Sequence, residues 1–80
     1  MAQKVVRSPL PGTFYRRPDP DSDPYVDEGD AVSVGDVVGL IEIMKTFHEV
    51  KSEEEGTAER FLVENEELIE VGQEILLLGN

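Results

Sequence analysis

Apolar residues in this chain come in short runs and alternations, and no stretch keeps the 3.6-residue period of a long helix. Gly, Pro and Asp break the runs. The pattern predicts an all-β chain, with strands near Gln3–Arg7, Gly12–Arg16, Ala31–Val32, Val37–Ile43, Thr46–Lys51, Gly56–Val63, Leu68–Ile69 and Glu74–Leu78. The pattern also repeats. "VDEGDAVSVGDVVGLI" at 26–41 returns as "VENEELIEVGQEILLL" at 63–78, an offset of 63 − 26 = 37. Gly12-Thr13 returns as Gly56-Thr57, at an offset of 44. The first half therefore holds about 44 − 37 = 7 extra residues, within "RPDPDSDPY" at 17–25. Two such units cannot each bury a face alone. Together they predict a flattened sandwich or barrel of two quasi-symmetric four-stranded halves. Gly35 and Gly72 fall at equivalent turns, where a positive φ is expected.

One turn departs from turn chemistry. In "IEIMKTF", at 41–47, two strands are joined by Met44 and Lys45 alone. A two-residue hairpin turn needs positive φ and usually recruits Asn, Asp or Gly. Met and Lys are poor choices on that ground, and an exposed methionine often marks a contact surface. The residues by themselves leave two readings open: an ordinary solvated lysine, or a displayed one.

Eighty residues make one domain, 1–80, with a small core. There is no cysteine to form a disulfide or a thiolate metal site. No run approaches the ~20 apolar residues of a membrane span. The N-terminal "MAQKVVRSPLPG" lacks the apolar centre of a signal peptide, so a cytoplasmic location is the expectation. The net charge of −11, from 18 acidic and 7 basic residues, argues against nucleic acid, which needs clustered Lys and Arg. Asp19, Asp21 and Asp23 mimic the start of a calcium loop. Pro24 and Asp30 stand where that loop needs Gly and Glu. His48 has no second His or Cys beside it, so no metal site is expected. It reads as a half-exposed strand residue.

"GLIEIMKTFHEV" resembles the attachment motif of biotin carboxyl carrier proteins, the acetyl-CoA carboxylase type of biotinyl-lipoyl attachment domain. "SPLPGTFYRRPDPDS", "VDEGDAVSVGDVV" and "GTAERFLVENEELIEVGQEILLL" extend the likeness over nearly the whole chain, and the spacing from Ser8 to Lys45 runs without a gap. The resemblance implies a hammerhead-shaped barrel-sandwich hybrid with biotin in amide linkage on Lys45. The attachment hairpin would be 43–46, with Met44, Thr46 and Glu42 flanking the lysine. Residues 17–25 would form a thumb-like insertion, and Arg17 stands where such carriers often have a threonine that contacts biotin. Thr46 replaces the usual Met and Ile43 the usual Ala.

The implied function is a non-catalytic carrier shuttling carboxybiotin between a biotin carboxylase and a carboxyltransferase, with acetyl-CoA or a related acyl-CoA as acceptor. The implied partners are these two subunits and a biotin protein ligase, without nucleic acid, membrane or metal. The alternatives are a lipoyl carrier of a 2-oxo acid dehydrogenase and an unmodified hybrid-fold structural domain. Met44 speaks against the first, because Asp typically precedes a lipoyl lysine. Met1 lies close to the first strand, which permits a free-standing subunit.

Overall fold

The computed structural model describes Lys4–Gly79. Eight strands run in order: β1 (Lys4–Arg7), β2 (Gly12–Tyr15), β3 (Ala31–Val32), β4 (Val37–Ile43), β5 (Thr46–Lys51), β6 (Gly56–Phe61), β7 (Glu67–Ile69) and β8 (Glu74–Gly79). The predicted residue Gln3 lies outside the described residues. The predicted ends at Arg16 and Val63 are too late. β2 stops at Tyr15 because the Arg16 N–H donates to the Asn65 side chain and its C=O accepts from Tyr25, so neither serves a ladder.

The strands form two antiparallel four-stranded sheets, ordered β1-β8-β6-β3 and β5-β4-β2-β7. Each half of the repeat gives two strands to each sheet, so the halves interlock instead of stacking as separate units. Exchanging β1–β4 with β5–β8 converts one order into the other. The registers obey the same rule except at a bulge in β6, where Tyr15↔Leu40 returns as Arg60↔Leu77, one residue beyond the offset. Lys4↔Leu78 becomes His48↔Ile41, since 4 + 44 = 48 and 78 − 37 = 41. Ala31↔Thr57 becomes Leu68↔Thr13. Even the register shift at Val6/Arg7 recurs opposite β5, at Val37/Gly39.

The core lies between the sheets and pairs off by the same offsets: Val26 with Val63, Val32 with Ile69, Val38 with Ile75, Ile41 with Leu78, Val6 with Val50, and Phe14 with Ala58. Leu76 alone in the cluster has no apolar mate, since its equivalent is Gly39. A Cβ on Gly39 would stand 2.4 Å from Phe14 Cε1, so the missing side chain makes room for the ring. One half uses a large residue beside none, and the other a small residue with a leucine. Gly35 and Gly72 have φ of 93° and 82°, as the repeat predicts. Gly29 and Glu66 form a second left-handed pair, at φ of 99° and 68°. No helix among the described residues is long and apolar enough to cross a membrane.

Candidate functional site at the β4–β5 hairpin

Alternation along β4 points Ile41 into the core and Glu42 outward. Glu42 pairs with Phe47, and Ile43 with Thr46, leaving Met44 and Lys45 as the turn. Both have positive φ, 50° and 69°, the hand of a type I′ turn. A left-handed conformation costs a non-glycine residue roughly 1–2 kcal/mol, so something must hold the pair there. Met44 is 92% exposed, and Lys45 and Thr46 are exposed beside it.

The Glu42 carboxylate closes over this turn. Its Oε2 accepts the Lys45 backbone N–H at 3.2 Å, and its Oε1 accepts the Tyr15 hydroxyl at 3.3 Å. The Tyr15 ring meets the Phe47 ring, with centroids 5.8 Å apart. Burial pushes the Tyr15 phenol above its ordinary pKa, and the charge and hydrogen bond of Glu42 add to that, followed by Glu66.

Residues 17–25 form a closed loop. Tyr25 N–H donates to Arg16 C=O at 2.9 Å and seals the base. The Arg16 guanidinium lies 4.1 Å from the centre of the Phe61 ring and donates to Val26 O. At the tip, the Asp19 carboxylate accepts from Asp21 N–H and Ser22 O–H. Of the aspartates that mimic a calcium loop, Asp19 thus serves a turn. Burial raises the Tyr25 phenol above its ordinary pKa, and the charges of Glu49 and Asp19 add to that.

Between loop and hairpin lies a cavity of about 170 Å³, lined by Tyr15, Arg17, Pro18, Pro20, Phe47 and Glu66 among others. The Nε atoms of Arg16 and Arg17 are both buried without a hydrogen-bond partner. The fold thus brings Glu42, Met44, Lys45 and Thr46 together on the hairpin and puts Arg17 on the facing loop. His48 is exposed, more so than expected, because β5 is the sheet's edge. Among the described residues no group of three His, Asp or Glu is arranged to hold a metal.

The sequence reading of the site missed Phe47 and the Tyr15 ring. A signal for Phe47 was available: it is an apolar residue directly opposite the outward Glu42, hence itself outward, and it is 54% exposed.

The three lysines differ. Lys4 Nζ donates to Glu55 O at 2.9 Å, and Lys51 Nζ lies 3.9 Å from Glu49 Oε1. Among the described residues only the Lys45 amine has no such partner.

Known proteins share this architecture. The family described as "Biotin-requiring enzyme" (Biotin_lipoyl) matches residues 4–78. The biotin carboxyl carrier protein of acetyl-CoA carboxylase from Pseudomonas aeruginosa is 40% identical over 74 residues, 92% of this chain and 47% of that protein. The protein of the same name from Streptococcus pyogenes serotype M6 is 42% identical over 69 residues, 86% of this chain and 42% of that protein. The chain thus spans about half the length of these curated relatives. In the crystal structure of Kluyveromyces lactis urea carboxylase, 6% of the chain superposes on 99% of this one, with a TM-score of 0.80 and 26% identity. With a family match over nearly its whole length, this chain belongs to the Biotin_lipoyl family of biotin-requiring enzymes.

Proposed function

We propose that the chain is the carrier domain of a biotin-dependent carboxylase, with biotin in amide linkage on Lys45 Nζ. The observation that carries this reading is the lysine inventory: among the described residues, the one lysine amine without a partner stands at the tip of a left-handed turn. A ligase needs an accessible amine, and a carrier needs a flexible stem on a rigid base. Met44 and Thr46 flank that amine, and Glu42 holds the turn beneath it. The mostly apolar cavity beside Phe47, with Arg17 on its wall, suits a bicyclic ring with a polar urea. When bound, biotin supplies a ring nitrogen that takes up and releases a carboxyl group; the protein's part is position and reach.

The proposed partners are a biotin protein ligase, a biotin carboxylase and a carboxyltransferase. The related carriers are named for acetyl-CoA carboxylase, which makes an acyl-CoA the proposed acceptor. Offered to a biotin carboxylase with ATP, Mg²⁺ and labelled bicarbonate, the biotinylated chain is expected to take up label, and the Lys45→Arg chain none. Label on the variant, or none on the biotinylated parent, contradicts the reading.

The loop at 17–25 is proposed to act as a thumb over the ring. The second half of the repeat closes without such a loop, so excising about seven residues between Arg17 and Tyr25 is expected to leave a folded domain with a more mobile ring. NMR relaxation of the ureido protons reports this, and relaxation unchanged by the excision rejects the contact.

A further inference from the structure

Two consecutive non-glycine residues in left-handed backbone persist only where their surroundings over-determine them. The ladder of β4 and β5 ends at Ile43↔Thr46 and takes no part in the Lys45 N–H. That N–H goes to a side chain, the Glu42 carboxylate, three residues back in the chain. Glu42 is itself on an outward face, where a long side chain has rotamer freedom. What restricts it is the second oxygen, which accepts from Tyr15 O–H on the neighbouring strand β2. Tyr15 in turn is held by its ring contact with Phe47, two residues beyond Lys45. Three contacts and the backbone from Lys45 to Phe47 close a circuit around the turn: Tyr15 to Glu42, Glu42 to Lys45, along the chain to Phe47, and back to Tyr15.

The quasi-symmetry supplies an internal control. The equivalent of Glu42 is Gly79, since 42 + 37 = 79. Tyr15 faces Leu40, and the residue facing the equivalent Leu77 is Arg60, because β6 bulges between Ala58 and Arg60. At the symmetric place β8 pairs with β1 without a connecting turn, and neither member of this pair is present there. The Tyr15–Glu42 bond thus belongs to the end of the sandwich that carries the β4–β5 turn.

We infer that Tyr15 is a positioning residue for Lys45, acting through the Glu42 carboxylate to hold the left-handed turn. The raised phenol pKa agrees with a hydroxyl that keeps its proton on a carboxylate. The inference deepens the reading of Lys45 as the attachment residue and rests on it for its kinetic consequence, but the turn itself is testable without biotin.

The test is amide exchange at Lys45 by NMR in the unmodified chain. Glu42→Ala is expected to speed exchange about five- to tenfold, the size of one hydrogen bond. Tyr15→Phe, which keeps the ring, should speed it by a few-fold. The double variant should match Glu42→Ala alone, because Tyr15 acts only through Glu42. Glu42→Gln, which keeps an acceptor oxygen, should recover most of the protection. Amides of β6 and β8 should be unmoved in every variant, which separates a local effect from loss of fold. Unchanged Lys45 exchange in Tyr15→Phe overturns the inference, as do effects that multiply in the double variant. In biotin transfer by a ligase, Tyr15→Phe should lower kcat and leave KM. If the parent takes no biotin, the functional proposal fails while the exchange data still decide the clamp.

Discussion

Exchanging the two turn residues, Met44→Lys with Lys45→Met, is expected to cut the rate of biotin transfer by about 10²-fold and to leave the melting curve where it was. Both positions are left-handed, at φ of 50° and 69°, so neither residue meets a new backbone demand. Both are exposed, and exchanges of exposed residues usually change stability by no more than about 0.5 kcal/mol. Composition and charge are unchanged. What changes is the direction and origin of the amine, which moves one residue toward β4 and off the position whose N–H Glu42 holds. A reacting group misplaced by ~1 Å can lose 10²-fold in rate. Biotin transfer as fast as in the parent would show that the hairpin is no positional signal.

Phe14→Ala is expected to cost about 3–5 kcal/mol. Domains of this kind have roughly 5–15 kcal/mol in total, so the loss is about a fifth or more of the fold's stability. Phe14 is fully buried on β2, over the space that Gly39 leaves open, with the Phe61 ring centre 6.2 Å away. The symmetric site holds Ala58, but there Leu76 stands in place of a glycine. Alanine at 14 has no such leucine to complete the layer, so a cavity results. The same strand bears Tyr15, so the loss should also loosen the β4–β5 turn. Urea unfolding checks this, and a midpoint shift worth less than about 1 kcal/mol would mean that the layer repacks.

The repeat made most of the fold legible. Offsets of 37 and 44 located the extra loop, and the glycines at 35 and 72 marked equivalent turns that the structure confirms. A repeat says which segments are alike, not which pair, so the interlocking of the halves was hidden. Pairing of β1 with β8 and of β2 with both β4 and β7 is settled by non-local packing. The end of β2 depended on one side chain, Asn65, 49 residues from its partner. Left-handed Glu66 was indicated by its alignment with Gly29, yet a glutamate carries no turn signal of its own.

The site divided in the same way. Met-Lys in a two-residue turn was conspicuous because the turn chemistry was wrong, and the backbone there is indeed left-handed. The environment of Arg17 was not readable, because the loop's path over the sheet depends on the Arg16–Phe61 contact and the Tyr25–Arg16 bond. The Glu42–Tyr15 bond joins residues 27 apart across two strands, and only the register brings them together.

The central claim is that Lys45 carries biotin, and the most direct measurement is intact mass followed by peptide mapping of the chain made with a biotin ligase. The account predicts one biotinyl group per chain, on Lys45 alone, with the net charge moving from −11 to −12 as an amide replaces the ammonium. Biotin on Lys4 or Lys51, or lipoate on Lys45, would contradict it.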